Sequence, residues 1–538
     1  MTAERTGGHA LALQLAAHGV THVFGVPGQQ LYHALDGLAT VDTIQFVSTR
    51  HEQTAGYMAD GYARSTGREG VCLVVPGPGL LNAMAALATA YACSSPVLCI
   101  VGQIPSEAIG KGRGLLHEVP NQSGLLDSVT KWHALVHSAD EIAPLVDEAF
   151  RQLRSGRPQP VALEIPPDVL AAAALATLPG LKLDSVLRAT PEPGALDAAA
   201  ALLREAHRPA IYAGGGVHAA GASEELRRLA ELLQAPVVMS RSGMGAISLR
   251  HPLAASKLAG RRLLPEADVV LAVGSRFRTY SGVGGPSGAN GRVIQLDADP
   301  AALRSRSEGD VRLLGDARLG LTALLDRLEG MPERPSRSAE VQTARAWADE
   351  QLAALEPQIS YLRALRRALP DDAIVVSELT QVAYVVRIGF EFVQPRTNLT
   401  PGYQGTLGFG FPAALGAKLG NPQRAVVSLS GDGGFGYCLA ELATARQYGI
   451  AVVAVVFNDS AYGNVQRDLE EMFDGRSLGT KLVNPDFVAL AAAFGVRGVR
   501  VTGADELAVA VKQAVALDEP VLIEVPVGPM SDPWPLLR

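Results

Sequence analysis

The chain has 538 residues, of which 48% are apolar, 19% charged and 5% aromatic. At roughly 100–200 residues per domain this length suggests about three domains, and a composition rich in Ala, Gly, Val and Leu suits parallel sheets buried on both faces. The net charge of −7, without any block of like charge, argues against a non-specific nucleic-acid binder, and no stretch reaches the ~18–20 uninterrupted apolar residues of a membrane span. The first residues, Met1 to Gly8, lack the apolar run of a signal peptide. Cys72, Cys93, Cys99 and Cys438 form neither a C-x-x-C pair nor a zinc pattern, so they read as reduced cysteines. The expectation is a soluble, cytoplasmic protein with no nucleic-acid or membrane partner.

Along the chain, an amphipathic stretch from His9 to His18 ends at Gly19, and the short apolar run Val23 to Val26 is broken by Pro27-Gly28. A strand at Thr43 to Val47 precedes a helix of small residues from Glu52 to Arg64. The run Gly70 to Val75 stops at Pro76-Gly77-Pro78-Gly79, and Val97 to Val101 follows another helix. Strand, turn and helix repeat in the manner of βαβ units. A proline-bearing linker at Pro179–Pro193 opens onto a second α/β segment. Its strands fall at Ala210–Ala213, Val237–Met239, Val269–Val273 and Val293–Leu296. Gly330 to Pro335 marks the next boundary. The third segment has strands at Ala373–Val376, Ala425–Leu429, Val452–Phe457 and Val521–Val525, and the last residues, Gly528 to Arg538, form a surface tail. The predicted fold is α/β with three doubly wound parallel-sheet domains, at 1–180, 190–335 and 350–538.

The strongest chemical signal lies in the third segment. An apolar strand runs into Gly431-Asp432-Gly433-Gly434, and a second strand ends in Asn458-Asp459-Ser460-Ala461-Tyr462-Gly463. Open α/β sheets bind ligands at the carboxyl ends of their strands. Asp432 and Asp459 are 27 positions apart, one βαβ crossover, and so face one crevice. Mg²⁺ takes oxygen ligands and is often held by one or two carboxylates plus phosphates. The glycines around Asp432 allow close approach of a phosphate, and the following helix offers free N–H groups to it. Read alone, Gly-Asp-Gly is equally a tight turn after a strand.

These two turns resemble the binding motif of thiamine diphosphate enzymes, Gly-Asp-Gly followed some 26 residues later by Asn-Asn or Asn-Asp. The resemblance covers nearly the whole chain, in the order pyrimidine domain, central domain, pyrophosphate domain. That is the layout of acetolactate synthase, pyruvate oxidase, benzoylformate decarboxylase and benzaldehyde lyase. It implies thiamine diphosphate and Mg²⁺ as cofactors, with Asp432, Asp459 and the carbonyl of Ala461 on the metal. Gly431, Gly433, Gly434, Tyr462 and Gly463 would then lie against the cofactor. Asp459 departs from the Asn common at its position. Thr49-Arg50-His51-Glu52-Gln53-Thr54 resembles the segment carrying the glutamate that bonds to the cofactor's pyrimidine. Glu52 is thus the predicted catalytic acid, expected to be buried against apolar neighbours that raise its pKa. Gly405-Thr406-Leu407-Gly408 resembles the loop that bends the cofactor, with Leu407 as the wedge and the Gly405 carbonyl as an acceptor. The resemblance also implies that Glu52 of one subunit meets the metal turn of another, hence a homodimer or homotetramer.

Four places should line the substrate: Pro27 to Gln30, including Gly28; Pro76 to Gly79; Leu115 to Glu118; and Tyr462 to Gln466. Acetolactate synthases usually have Phe-Gln where this chain has Leu116-His117, so His117 is a candidate proton donor or a solvated loop residue. They also carry Trp where Asp468 stands. Gly214-Gly215-Gly216 and Gly274-Ser275-Arg276-Phe277 resemble the family's flavin-binding turns. However, the segment between His251 and Asp268 is short and lacks the glycine-rich run that usually crosses a flavin, and Arg-Phe-Asp-Asp-Arg is replaced by Arg276-Phe277-Arg278-Thr279-Tyr280. The balance is against bound FAD. The expected activity is a carboligase acting on 2-oxo acids, with decarboxylation alone, or cleavage of a 2-hydroxy ketone, as the alternative. A non-catalytic relative is disfavoured because Glu52 and Asp432 are both present.

Overall fold

A computed structural model describes residues 5–174, 188–277, 291–303 and 309–537. Some of the linker expected at 179–193 lies outside the described residues, as do Arg278, Thr279 and Tyr280.

Three six-stranded sheets follow one another along the chain. The first contains β1 (His22–Gly25), β2 (Gln45–Ser48), β3 (Gly70–Val74), β4 (Val97–Gly102), β5 (Trp132–Leu135) and β6 (Val161–Ile165), in the order β2-β1-β3-β4-β6-β5. The second contains β7 (Pro209–Ala213), β8 (Val237–Met239), β9 (Ala254–Ala255), β10 (Val269–Val273), β11 (Arg292–Asp297) and β12 (Val311–Leu314), in the order β12-β11-β10-β7-β8-β9. The third contains β13 (Ile374–Ser377), β14 (Asn398–Leu399), β15 (Val426–Gly431), β16 (Val452–Asn458), β17 (Arg497–Arg500) and β18 (Val521–Pro526), in the order β14-β13-β15-β16-β18-β17. Neighbouring strands run parallel throughout, as at β15 and β16, where Gly431 stands opposite Phe457. The first and third sheets share one winding, a duplication that their sequences do not display. The second follows the order typical of dinucleotide-binding folds.

Helices α1 (Gly7–Ala17), α2 (Glu52–Thr66) and α3 (Pro78–Cys93) belong to the first segment, and α4 (Gly410–Gly420), α5 (Leu442–Tyr448), α6 (Gly463–Met472) and α7 (Trp534–Leu537) to the third. His51 caps α2 by accepting the Gln53 N–H, and Gly67, in the left-handed region at φ 77°, ends it. The small residues read along α2 have a specific use. A Cβ on Gly61 would lie 2.0 Å from the carbonyl oxygen of Ala413, and one on Gly416 would lie 1.9 Å from that of Met58. The backbones of α2 and α4 therefore touch. Around this crossing the first and third segments share a single core, which includes Phe24, Val47, Tyr57, Val376 and Phe409. Tyr57 meets Phe409 edge-on at 5.5 Å.

The C-terminal stretch departs from the expected surface tail. It closes with α7, whose Leu537 is buried, and the Trp534 indole donates to Asn464 Oδ1 at 2.7 Å. Apolar residues between and after its three prolines, Leu537 last among them, give it something to bury, which the proline count had obscured. All four cysteines are free, and Cys72 and Cys99 stand opposite each other on buried strands.

Gly416→Val is expected to destabilise the protein by about 3 kcal/mol or more, because a side chain would have to force the touching backbones of α2 and α4 apart. Gly503→Ala, where nothing lies within 4 Å, should cost only about 1 kcal/mol, the difference between Gly and Ala at a helix N-cap. Urea unfolding of both variants tests this, and equal midpoints would contradict the backbone contact.

Candidate active site

The two acidic turns emerge side by side from β15 and β16. Asp432 is buried at the start of a one-turn helix, and its Oδ2 accepts from Asn484 Nδ2 at 2.6 Å. The same Asn484 nitrogen donates to Asn458 Oδ1 at 3.0 Å, tying the turns together. Asp459 Oδ1 accepts the Ala461 N–H at 3.2 Å. Burial, and then the negative charge of Asp432, push the Asp459 carboxyl up to about 6. A Cβ on Gly463 would lie 2.3 Å from Asp459 Oδ2, and one on Gly433 would lie 2.6 Å from the Tyr462 ring. These glycines are where they are because a side chain has no room. Ser460 takes a left-handed φ of 54°, which turns the chain sharply between Asp459 and Ala461.

A third acid, which the sequence reading passed over, stands behind this turn. Glu378 follows β13 and is buried. It accepts N–H groups from Gly408 and Gly410 and the Ser430 hydroxyl at 2.7 Å. A Cβ on Gly434 would fall 2.3 Å from Glu378 Oε1. One carboxyl thus braces both the Gly405–Gly410 loop and the Asp432 turn, and burial raises its pKa while those donors oppose the rise. The loop is also tied at Thr406, whose hydroxyl lies 3.1 Å from that of Thr89 on α3. Leu407, between these ties, is half-buried, and Gly405 has a left-handed φ of 60°.

The remaining candidates gather at the carboxyl end of the first sheet. Glu52 opens α2, and its Oε2 accepts from Asn82 Nδ2 at 3.0 Å. Its carboxyl lies close to Gly79, where a Cβ would sit 3.6 Å from Oε1. Glu52 is only half-buried, so the expected apolar enclosure is not supplied by this chain, because the helix N-terminus faces the open end of the sheet. His117 adopts a left-handed φ of 69°, a costly conformation for a non-glycine residue. Its Nδ1 lies 2.9 Å from Gln30 Oε1, and Gln30 Nε2 donates to the Leu116 carbonyl. Gly77 admits the His117 carbonyl, since a Cβ there would be 2.4 Å from it, and Gly28 packs on Val75. The stretches at 27–30, 76–79 and 115–118 therefore meet. The hydrogen bonds of Glu52 and His117 stay within the first segment, and those of Asp432 and Asp459 within the third.

Three family models match the chain in the order of its sheets. Residues 5–125 match the thiamine pyrophosphate enzyme N-terminal TPP binding domain, 196–324 the central domain, and 380–525 the C-terminal TPP binding domain. The chain belongs to the thiamine diphosphate enzyme family. A probable 2-ketoarginine decarboxylase of Pseudomonas aeruginosa is 40% identical over 93% of this chain and 90% of its own. A probable acetolactate synthase large subunit of Methanocaldococcus jannaschii is 33% identical over 97% and 92%. Acetolactate synthase isozyme 3 large subunit of Escherichia coli K12 is 33% identical over 93% and 91%. The protein is thus a thiamine diphosphate enzyme of the acetolactate synthase-like group, one that forms or breaks carbon–carbon bonds.

For such an enzyme, Glu378 carried a readable signal: an acid directly after an apolar strand, the same signal that Asp432 gives. Gln30 lay in a stretch expected to line the substrate, but its bond to His117 was not legible, and Asn484 carried no signal, since each acts across a long stretch of chain.

Asp459→Asn should raise the melting temperature of the metal-free protein above pH 6 and leave it nearly unchanged at pH 4. The folded-state value near 6 lies above the ordinary carboxyl value of about 3.9. The folded protein therefore holds the proton more firmly and loses stability as pH rises through that range. Melting curves from pH 4 to 8 check this, and a difference that does not change with pH would contradict it.

Proposed function

We propose that the protein decarboxylates a 2-oxo acid and transfers the acyl fragment to a second carbonyl compound, as a carboligase of the acetolactate synthase type. The observation that carries the reading is the pair of acidic turns on adjacent strands, within a chain aligned to acetolactate synthases over nearly its full length. Thiamine diphosphate, when bound, supplies the electron sink for breaking the bond to the carboxylate.

Two neighbouring carboxylates with little compensating charge, set among backbone groups, fit a hard divalent cation such as Mg²⁺. Among the described residues no group of three or more His, Cys, Asp or Glu side chains could hold a metal, so phosphate and water would complete the shell. In this reading Asp432, Asp459 and the Ala461 carbonyl hold the ion, and backbone N–H groups at Gly433 and Gly434 receive the pyrophosphate. Gly431, Tyr462 and Gly463 border it. Leu407 and Gly405 shape the cofactor, Gly28 leaves room beside it, and Glu52 bonds to its pyrimidine. The half-exposed Glu52 suits an acid that a second subunit covers, in a homodimer or homotetramer. The reading divides the chain near residues 180–190 and 335–350, and takes the protein to act in the cytoplasm on a small 2-oxo acid or 2-hydroxy ketone. No described helix is long and apolar enough to cross a membrane. FAD does not enter this reading. Gly214 and Gly216 pack against Gly274, where added Cβ atoms would fall 2.2 and 2.5 Å from its backbone, so internal packing accounts for these glycines.

A second reading, decarboxylation that ends in protonation, is favoured by His117, a held imidazole at the substrate side, by Asp468 in place of Trp, and by the relative named for 2-ketoarginine.

Calorimetric titration with thiamine diphosphate should give tight binding that requires Mg²⁺; absence of binding in either condition overturns the reading. Incubation with pyruvate and with a guanidino 2-oxo acid then separates the two reactions: a 2-hydroxy-2-methyl-3-oxo acid marks ligation, and an aldehyde alone marks simple decarboxylation. Glu52→Gln should slow exchange of the cofactor's C2 proton by about 100-fold or more while cofactor affinity stays within about threefold.

A further inference from the structure

The turn that presents Glu52 is held from the third segment as well as from its own, where the Thr49 N–H donates to the Gly25 carbonyl at 2.9 Å. Ser48, the last residue of β2, donates its N–H to Tyr448 Oη at 2.8 Å. The Arg50 N–H is shared by both carboxyl oxygens of Glu441, at 3.0 and 3.2 Å. The Arg50 guanidinium donates to Gln447 Oε1 at 2.7 Å. Gln447 and Tyr448 end α5, and Glu441 is its N-cap.

Glu441 differs from the other two holders in being almost completely buried. The Thr444 hydroxyl also donates to it, and Thr54, in the first turn of α2, stands near enough to oppose the rise in its pKa that burial causes. Its carboxyl thus grips the chain just before His51-Glu52, through the Arg50 amide. Burying a carboxyl is expensive unless its oxygens are satisfied. Here they are satisfied by the Thr444 hydroxyl and by an amide two residues before the one whose direction matters most for proton transfer. Nothing in the metal or phosphate reading uses Glu441.

We propose that Glu441 is a positioning residue for Glu52. Its carboxyl fixes the backbone that leads into Glu52 and so sets the direction in which that side chain leaves α2. This rests on Glu52 being the acid that bonds to the cofactor. A simple staple between segments would affect stability and cofactor affinity. A positioning residue instead slows proton transfer and has nothing left to affect once Glu52 is gone.

The test uses the full-length protein with Glu441→Gln, Glu52→Gln and the double variant. Gln keeps the size but turns an N–H₂ toward donors that need an acceptor. Three quantities are measured: amide hydrogen exchange of residues 48–54 in the cofactor-free protein, thiamine diphosphate affinity with Mg²⁺, and exchange of the cofactor's C2 proton. For Glu441→Gln the expectation is loss of amide protection by about tenfold, affinity within about threefold, and C2 exchange slowed by about 10- to 100-fold. The double variant should be no slower than Glu52→Gln. Unslowed C2 exchange in Glu441→Gln beside a slowed Glu52→Gln overturns the inference alone, and so does a double variant whose losses multiply. Wild-type exchange in Glu52→Gln overturns the reading of Glu52, and this inference with it. Should Glu441→Gln not fold, Glu441→Asp, which keeps the charge but draws the carboxyl back from the Arg50 N–H, is held to the same outcomes.

Discussion

The backbone contact between α2 and α4 is the constraint on which the rest depends. α2 begins at Glu52, and α4 begins at Gly410, where the loop carrying Leu407 ends. Fixing the two helices at Gly61 and Gly416 fixes the relative positions of the candidate acid and the Gly405–Gly410 loop of one chain. The contact extends to the loop itself, because a Cβ on Gly408 would lie 3.2 Å from Gln53 Nε2. Interiors packed to crystal density transmit such constraints without slack. The first and third segments consequently behave as one body with two working ends.

Buried acids refine what the crossing sets. Glu378 braces the Gly405–Gly410 loop against the Asp432 turn, and Glu441 braces the chain that leads into Glu52. Both lie in the third segment, and both have their pKa raised by desolvation. Each spends its hydrogen-bonding capacity on N–H and hydroxyl groups of turns. A hydrophobic side chain could fill the same volume but would leave those donors unpaired. The site is therefore shaped by polar groups that need not touch any ligand.

How much of this the sequence discloses depends on the range of the interaction. Strands such as Val269–Val273 and Val452–Phe457 are continuous apolar runs and were legible, as was Asp432 after its strand. The two-residue strands Ala254–Ala255 and Asn398–Leu399 were not, since pairing at a sheet edge defines them rather than any pattern of their own. The shared winding of the first and third sheets is a property of connections, and two unlike sequences can follow the same path. Gln30 under His117, Asn484 between the acidic turns, and Glu441 beneath Arg50 are joined across 26 to 391 positions; no local period encodes them. The open setting of Glu52 was hidden for the converse reason: its helix looks apolar enough to bury, and only the fold shows that its first turn lies at an open end.

α6 has no buried side chain, yet Val465, Met472 and the following Phe473 are among the exposed large apolar residues of the chain. A face of this kind is a liability in time as well as a surface in space. A chain newly released from the ribosome carries it bare, and at high concentration it can stick to whatever apolar surface arrives first. Aggregation through such a face competes with folding, so the yield of soluble protein depends on synthesis rate and temperature as well as on the stability of the finished fold.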